Sequence, residues 1–329
     1  MILSYTLRLL CLLAVVCGLV TATLQILLAL NARSLLGRLD GAAARRRESV
    51  LYLIQIAPLL LAILVSVAFC LPEYLRYEPN HESEPVGWLC LLLAAGVASW
   101  FGSALLRGFR ITLRTLQFAR SCRRSGRILH HAGSATPILA VARAENPVGL
   151  IGFRRPFVAV SADWLDAGGL NPGALDLAID HERSHADHGD NWKLLSLSFL
   201  PHFGRVFPRS SLWRQHWQAA ADWAADDDAA RGDRARSFLL AEAIVCAARA
   251  ARSIAASREP VISSALTSAE AGLALRIDRL LHPRRTARTA ETSLPLGLAV
   301  LGLLAAGAAA LASPAIYSLS EHLLHLGGF

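Results

Sequence analysis

The chain has 329 residues, 54% of them hydrophobic, with a mean hydropathy of +0.41. Soluble globular domains run at about 45–50% apolar, so the composition argues against an ordinary soluble protein. The formal charge of +8 is carried almost wholly by arginine, Lys193 being the sole lysine.

The apolar excess lies in four runs, roughly residues 9–30, 50–71, 88–106 and 294–316, none with an acidic residue or an internal Arg or Lys. Each is near the ~20 residues that cross a ~30 Å hydrocarbon core as a helix. One such run could be a buried core helix; four in one chain predict membrane helices. Only Arg8 precedes the first run and most nearby arginines follow it. A cleaved signal peptide has the opposite order, so this run reads as a retained helix.

The arginines gather beside the runs: Arg33, Arg38, Arg45, Arg46 and Arg47 after the first, and Arg107, Arg110, Arg114, Arg120, Arg123, Arg124 and Arg127 after the third. A basic chain can be a nucleic-acid binder, but arginine at helix ends marks cytoplasmic loops. The lipid bilayer is therefore the expected partner, and no direct nucleic-acid binding is expected. The loop at 72–87 holds Glu73, Glu78, Glu82 and Glu84 against Arg76 alone. These biases predict an outer N-terminus, an inner 33–47 loop, an outer 72–87 loop, an inner domain at 107–293 and an outer tail at 317–329. Residues 1–106 then form three transmembrane helices and residues 294–316 a fourth. Cys11, Cys17, Cys70, Cys90, Cys122 and Cys246 lack zinc-ribbon spacing and read as small apolar fillers. Cys70 and Cys90 could pair only on an oxidising outer face.

Within 107–293, residues 137–143 and 147–161 read as short strands, rich in Val and Ile and punctuated by Gly149, Gly152 and Pro156. Asn171-Pro172 reads as a helix start, and the helix is expected to run to about residue 195. Further helices are expected at 211–232, 236–252 and 268–281. The expected class is an α-helical membrane protein with four transmembrane helices and a mainly helical cytoplasmic domain carrying a small β-sheet.

That first helix contains His181-Glu182-Arg183-Ser184-His185, an HExxH sequence. Residues four apart share a helix face, so both imidazoles can bind one Zn²⁺, with Glu182 placed to take a proton from a bound water. Outside that setting the same residues would be a solvated polar face, as the neighbouring Asp187, His188 and Asp190 suggest. The third metal ligand has several candidates. Asp222 stands among Ala219, Ala220, Ala221, Trp223 and Ala224, where a carboxylate needs a partner. Asp226, four residues on, could orient a ligand histidine through its other ring nitrogen. Glu242 and His188 are rivals for the third position, while Asp226, Asp227 and Asp228 could be a solvated charge run. His202 and His216 have no spacing argument, and Ser184 has no partner pattern for a serine hydrolase.

On these residues the chain resembles the BlaR/MecR-type membrane zinc metallopeptidases, the bacterial antirepressor signal transducers. The resemblance runs over Pro147, Gly152, Arg155-Pro156 and Val158-Ala159-Val160; the HExxH with downstream Asp190; Phe199-Leu200-Pro201-His202-Phe203; Asp222-Trp223-Ala224-Ala225-Asp226; and Leu275-Arg276-Ile277-Asp278-Arg279-Leu280-Leu281. It implies one Zn²⁺ held by His181, His185 and Asp222, Glu182 as general base, and Asp226 and Asp190 behind the ligands. It also implies a bacterial inner-membrane location and a cytoplasmic repressor or membrane-associated protein as substrate. The family usually has Glu at the third ligand; here the position is Asp222, one methylene shorter. The β-lactam transducers also carry an outer penicillin-binding sensor domain, which is not expected here, so the resemblance implies the peptidase and not antibiotic sensing. The rival expectation is a non-catalytic membrane adaptor with a degenerate HExxH domain that binds a partner.

Overall fold

A computed structural model describes residues 5–77, 86–129, 136–142, 147–166, 171–202, 210–254, 263–265 and 270–282, with residues 318 and 322. The predicted fourth apolar run at 294–316 lies outside the described residues, as does the tail at 317–329 apart from Ser318 and His322. Among the described residues, three helices are long and apolar enough to cross a membrane. Helix α1 covers Tyr5–Leu30, and the short α2 (Ala32–Arg38) follows it. Helix α3 (Ala44–Val65) continues through a π-helical turn, Ser66–Cys70, into α4 (Leu71–Tyr77). Helix α5 spans Trp88–Ser125. Cys70 and Cys90 are free thiols.

Helix α5 overruns the apolar stretch that announced it. Its 38 residues reach about 57 Å at 1.5 Å per residue, beyond the ~30 Å hydrocarbon core. The extension has a packing reason. Strands β1 (Arg127–Leu129), β2 (Ile138–Val141), β3 (Val148–Ile151), β4 (Phe157–Ser161) and β5 (Ser263–Ala265) form one sheet in the order β1-β2-β4-β3-β5. The β2–β4 pair is parallel and the others antiparallel. Phe118, Ala119 and Cys122 of α5 cover one sheet face, formed by Leu139, Val141, Ile151, Phe157 and Ala159.

The opposite face, Ile138, Val148, Leu150, Val158 and Val160, packs on α7 (Pro172–Asp187) and α10 (Arg234–Ile254). A sheet covered on both faces buries every residue of its central strands, which explains their continuous apolar character. Gly152, at φ +84, turns the chain between β3 and β4. The short α6 (Ala162–Asp166) leads towards α7.

The helix expected over 172–195 is two helices. Gly189 adopts φ +65 and separates α7 from α8 (Asp190–Ser198). Helices α9 (Ser210–Ala230) and α11 (Glu270–Leu281) are the remaining described elements of the domain. Trp213, Trp217, Ala220 and Ala221 of α9 pack with Leu51 of α3 and Leu197 of α8. The membrane-length helices and the domain thus share a core.

After α8 the backbone carbonyls lie among apolar helices, where an unpaired C=O is costly. Side chains supply the donors. Arg107 donates to Ser198 O (3.3 Å) and Leu200 O (2.7 Å), Gln25 to Pro201 O (2.6 Å) and Trp100 to His202 O (3.2 Å). Phe199 seats over Gly108, where a Cβ would come within 2.4 Å of the ring. We expect Gly108→Ala to cost about 1–3 kcal/mol through overpacking, read as a lower Tm of the detergent-solubilised chain. Gly102→Ala, with nothing within 4 Å of its Cβ position, should leave Tm at or above the parent value. Equal losses at both positions would count against the Phe199 seat.

Candidate metal centre

Helix α7 starts where the sequence places it. Pro172 stands in the first turn and the Asn171 side chain accepts from Gly173 N at 3.0 Å, satisfying a donor that the helix leaves orphaned. Two turns later the helix carries His181, Glu182 and His185, all fully or almost fully buried. A solvated polar face is thereby excluded.

The two imidazoles face each other with Nε2 atoms 3.3 Å apart. Their other nitrogens are held from behind. His181 Nδ1 lies 3.0 Å from Asp226 Oδ1, and His185 Nδ1 lies 2.7 Å from Asp190 Oδ2. A carboxylate accepts hydrogen bonds and does not donate them, so a neutral His185 carries its proton on Nδ1 and turns an Nε2 lone pair inwards; the Asp226 carboxylate beside His181 Nδ1 favours the same tautomer there. Asp222 Oδ1 lies 3.6 Å from His185 Nε2, and the three candidate ligand atoms lie within 4.8 Å of one another. Two imidazole nitrogens bound tetrahedrally to one zinc at ~2.0–2.1 Å are about 3.3–3.4 Å apart. The imidazole pair has the spacing of two ligands on one Zn²⁺, and Asp222 is the carboxylate that would complete the donor set with His181 and His185.

Burial disfavours a charged His185, yet the carboxylates of Asp190, Glu182 and Asp222 outweigh burial and raise its pKa. For Asp190, burial is outweighed by His185 and Lys193, and its carboxyl is held down at about 2. For Glu182, burial dominates over the two imidazoles and the Leu150 N–H, and its pKa is raised.

Glu182 is fixed by the sheet. Leu150 N donates to Glu182 Oε2 at 2.8 Å. Asn191, in the first turn of α8, donates to Leu150 O (3.2 Å) and Gly152 O (2.6 Å), binding the end of β3 to the site. His188 is drawn away: its Nδ1 lies 2.8 Å from Ser184 O, at the end of α7. Glu242 is exposed on α10. Among the described residues, His202, His216, His188 and Glu242 join no metal-ligating group.

The site also holds residues that the sequence reading assigned no role. Arg276 of α11, 1% exposed, grips Asp226 with Nε (3.0 Å) and Nη2 (2.7 Å) and brings Nη1 to 3.6 Å from Asp222 Oδ2. This bidentate pair overcomes the burial penalty and holds the Asp226 carboxyl well below the usual range. The sequence signal was an arginine on the face of α11 that also carries Leu273, Ile277 and Leu280, where a charge needs a buried partner. Arg45 of α3 donates from Nη2 to Ser184 Oγ (3.2 Å) and Asp228 Oδ2 (2.6 Å).

No protein-family model matches the chain, and no curated protein matches it.

Two outcomes follow from this geometry. Arg276→Met should cost about 3–5 kcal/mol by leaving the Asp226 carboxylate buried without its guanidinium. Adding Asp226→Asn should recover part of that loss in thermal unfolding of the metal-stripped chain. On the metal side, alanine at His181, His185 or Asp222 should abolish stoichiometric zinc in elemental analysis, while Asp226→Ala should weaken binding about 10–100-fold. Loss of zinc in Glu242→Ala with retention in Asp222→Ala would displace Asp222 from the ligand set.

Proposed function

We propose that the chain is a membrane-integrated zinc endopeptidase in which His181, His185 and Asp222 hold the metal and Glu182 is the general base. The observation that carries this reading is the pair of inward-facing Nε2 atoms, 3.3 Å apart, with Asp222 beside them and Glu182 on the same helix. A bound zinc lowers the pKa of its water from 15.7 to near 7 and polarises the carbonyl under attack.

The chain's own residues supply the proton transfers and the positioning. Glu182, oriented by Leu150 N–H on one oxygen, accepts the proton released as water adds to the scissile carbonyl. It then passes that proton to the departing amine nitrogen. Asp226 and Asp190 keep the histidine protons on Nδ1, which preserves both Nε2 lone pairs. The burial of His181, Glu182 and His185 excludes bulk water from the ligand nitrogens.

The placement of the site supports substrates near the membrane. Ser184, inside the motif, contacts Arg45 in the first turn of α3, and the apolar run of that helix starts five residues later. Arginine-rich flanks favour the inner side for this end. A cytoplasmic repressor or a membrane-associated protein would meet the site there, as the resemblance to BlaR/MecR-type peptidases also implies, and a bacterial inner membrane is the corresponding location.

The purified full-length chain should contain one zinc and hydrolyse an unfolded protein substrate. Glu182→Gln should keep the zinc and lose about 10²–10⁴-fold in rate. An active Glu182→Gln enzyme would remove Glu182 as base; zinc without any hydrolysis would favour the adaptor. Orientation is read from the two ends of α5 in a background without native cysteines. An impermeant thiol reagent on intact cells should label Trp88→Cys and spare Ser125→Cys. The reverse pattern would put the site outside and make a cytoplasmic substrate untenable.

A further inference from the structure

The two histidines differ in what stands behind their carboxylates. Asp226, behind His181, is gripped by Arg276 of α11, so that support comes wholly from the domain. Asp190, behind His185, has its second oxygen 2.9 Å from Lys193 Nζ. Lys193 Nζ is also 2.9 Å from Glu48 Oε1, on the second membrane-length helix α3. Three polar contacts of 2.9, 2.9 and 2.7 Å thus join Glu48 to Lys193, Asp190 and His185 Nδ1.

Glu48 is 0% exposed. A carboxylate buried at the end of an apolar helix is retained only with partners. Its Oε1 takes Lys193 and the Trp217 Nε1–H (3.1 Å), and Arg45 Nη1 lies 3.8 Å from Oε2. The choice of cation is informative. Of 33 Lys and Arg residues, Lys193 is the only lysine. A guanidinium is a planar fork that pairs bidentately with a carboxylate, as Arg276 does with Asp226. An ammonium is a compact charge with three donors, suited to bridging carboxylates on two different helices. The lone lysine stands where α8 must be tied to both α3 and the metal ligand.

We infer that Glu48 is a positioning residue for His185, acting through Lys193 and Asp190, so that the second membrane-length helix completes the metal site. This rests on the zinc reading above. The support behind His185 thus reaches α3 through three polar contacts, whereas the cation behind His181 is supplied by α11.

The test uses the metal-stripped full-length chain in lipid nanodiscs, with zinc affinity measured against a chromophoric chelator and the visible absorption of the cobalt-substituted protein as a second readout. Glu48→Gln and Lys193→Met should each weaken zinc about 10-fold, at the low end for groups behind a ligand, and shift the cobalt bands. The double variant should be no worse than either single one, since both cut the same chain of contacts. Tyr52→Phe removes another bond between α3 and α8, Tyr52 Oη to Ser196 Oγ at 2.9 Å, and should leave affinity and spectrum unchanged. Reductive dimethylation of the folded parent needs no variant to fold. It leaves Lys193 one N–H for two carboxylates and should reproduce the loss.

Parental affinity in Glu48→Gln would overturn the inference, as would an equal loss in Tyr52→Phe or additive losses in the double variant. Those results would leave the zinc site standing. Failure of the unmutated chain to bind zinc would remove both readings.

Discussion

Two nitrogen lone pairs 3.3 Å apart in a buried site repel unless a cation or a proton lies between them, and much of the domain is arranged around that constraint. Carboxylates on the far side of each ring favour the tautomer that leaves those lone pairs free. Those carboxylates are themselves buried, so each needs a cation: Arg276 for Asp226 and Lys193 for Asp190. Each cation fixes a further helix. Asp190 with Lys193, and Asp226 with Arg276, thereby tie α8, α9 and α11 to the helix that carries the two imidazoles.

Much of this centre was legible in the sequence, because it depends on helix periodicity. His181 and His185 are four apart, as are Asp222 and Asp226, and each pair lies on one helix face. Asp190 was named for a supporting role, but the geometry that gives it one was not visible. On a straight helix, a residue five positions after His185 points about 140° away at 100° per residue. The left-handed turn at Gly189 redirects the chain and brings Asp190 back against His185 Nδ1. A helix drawn from 172 to 195 misses that turn because the surrounding residues are polar and helix-compatible on both sides.

Other features depend on contacts across long stretches of chain, which no local pattern encodes. Glu48 and Lys193 are 145 residues apart and Arg276 and Asp226 are 50 apart. Strands β1 and β5 were missed because three residues each give too little alternation to read. The length of α5 was also hidden. Arg107, Arg110 and Arg114 end its apolar run but not its helix. Its last turns carry Thr115, Phe118, Ala119 and Cys122 at helical spacing, on the face turned to the sheet and the protein interior.

The shared packing of α3 and α9 bears on how such a chain is made. Trp213, Trp217, Ala220 and Ala221 are covered by Leu51 and its neighbours on a helix synthesised some 160 residues earlier. Long before α9 leaves the ribosome, α1, α3 and α5 are available for insertion into the bilayer. The tryptophan face of α9 therefore meets a surface already in place and need not wait exposed in the aqueous phase, where it would invite aggregation. Arg276 emerges later still, so the clamp on Asp226 is the last piece supplied. The order of synthesis thus runs from the membrane-length helices to the candidate metal centre, whose last supporting residue is Arg276.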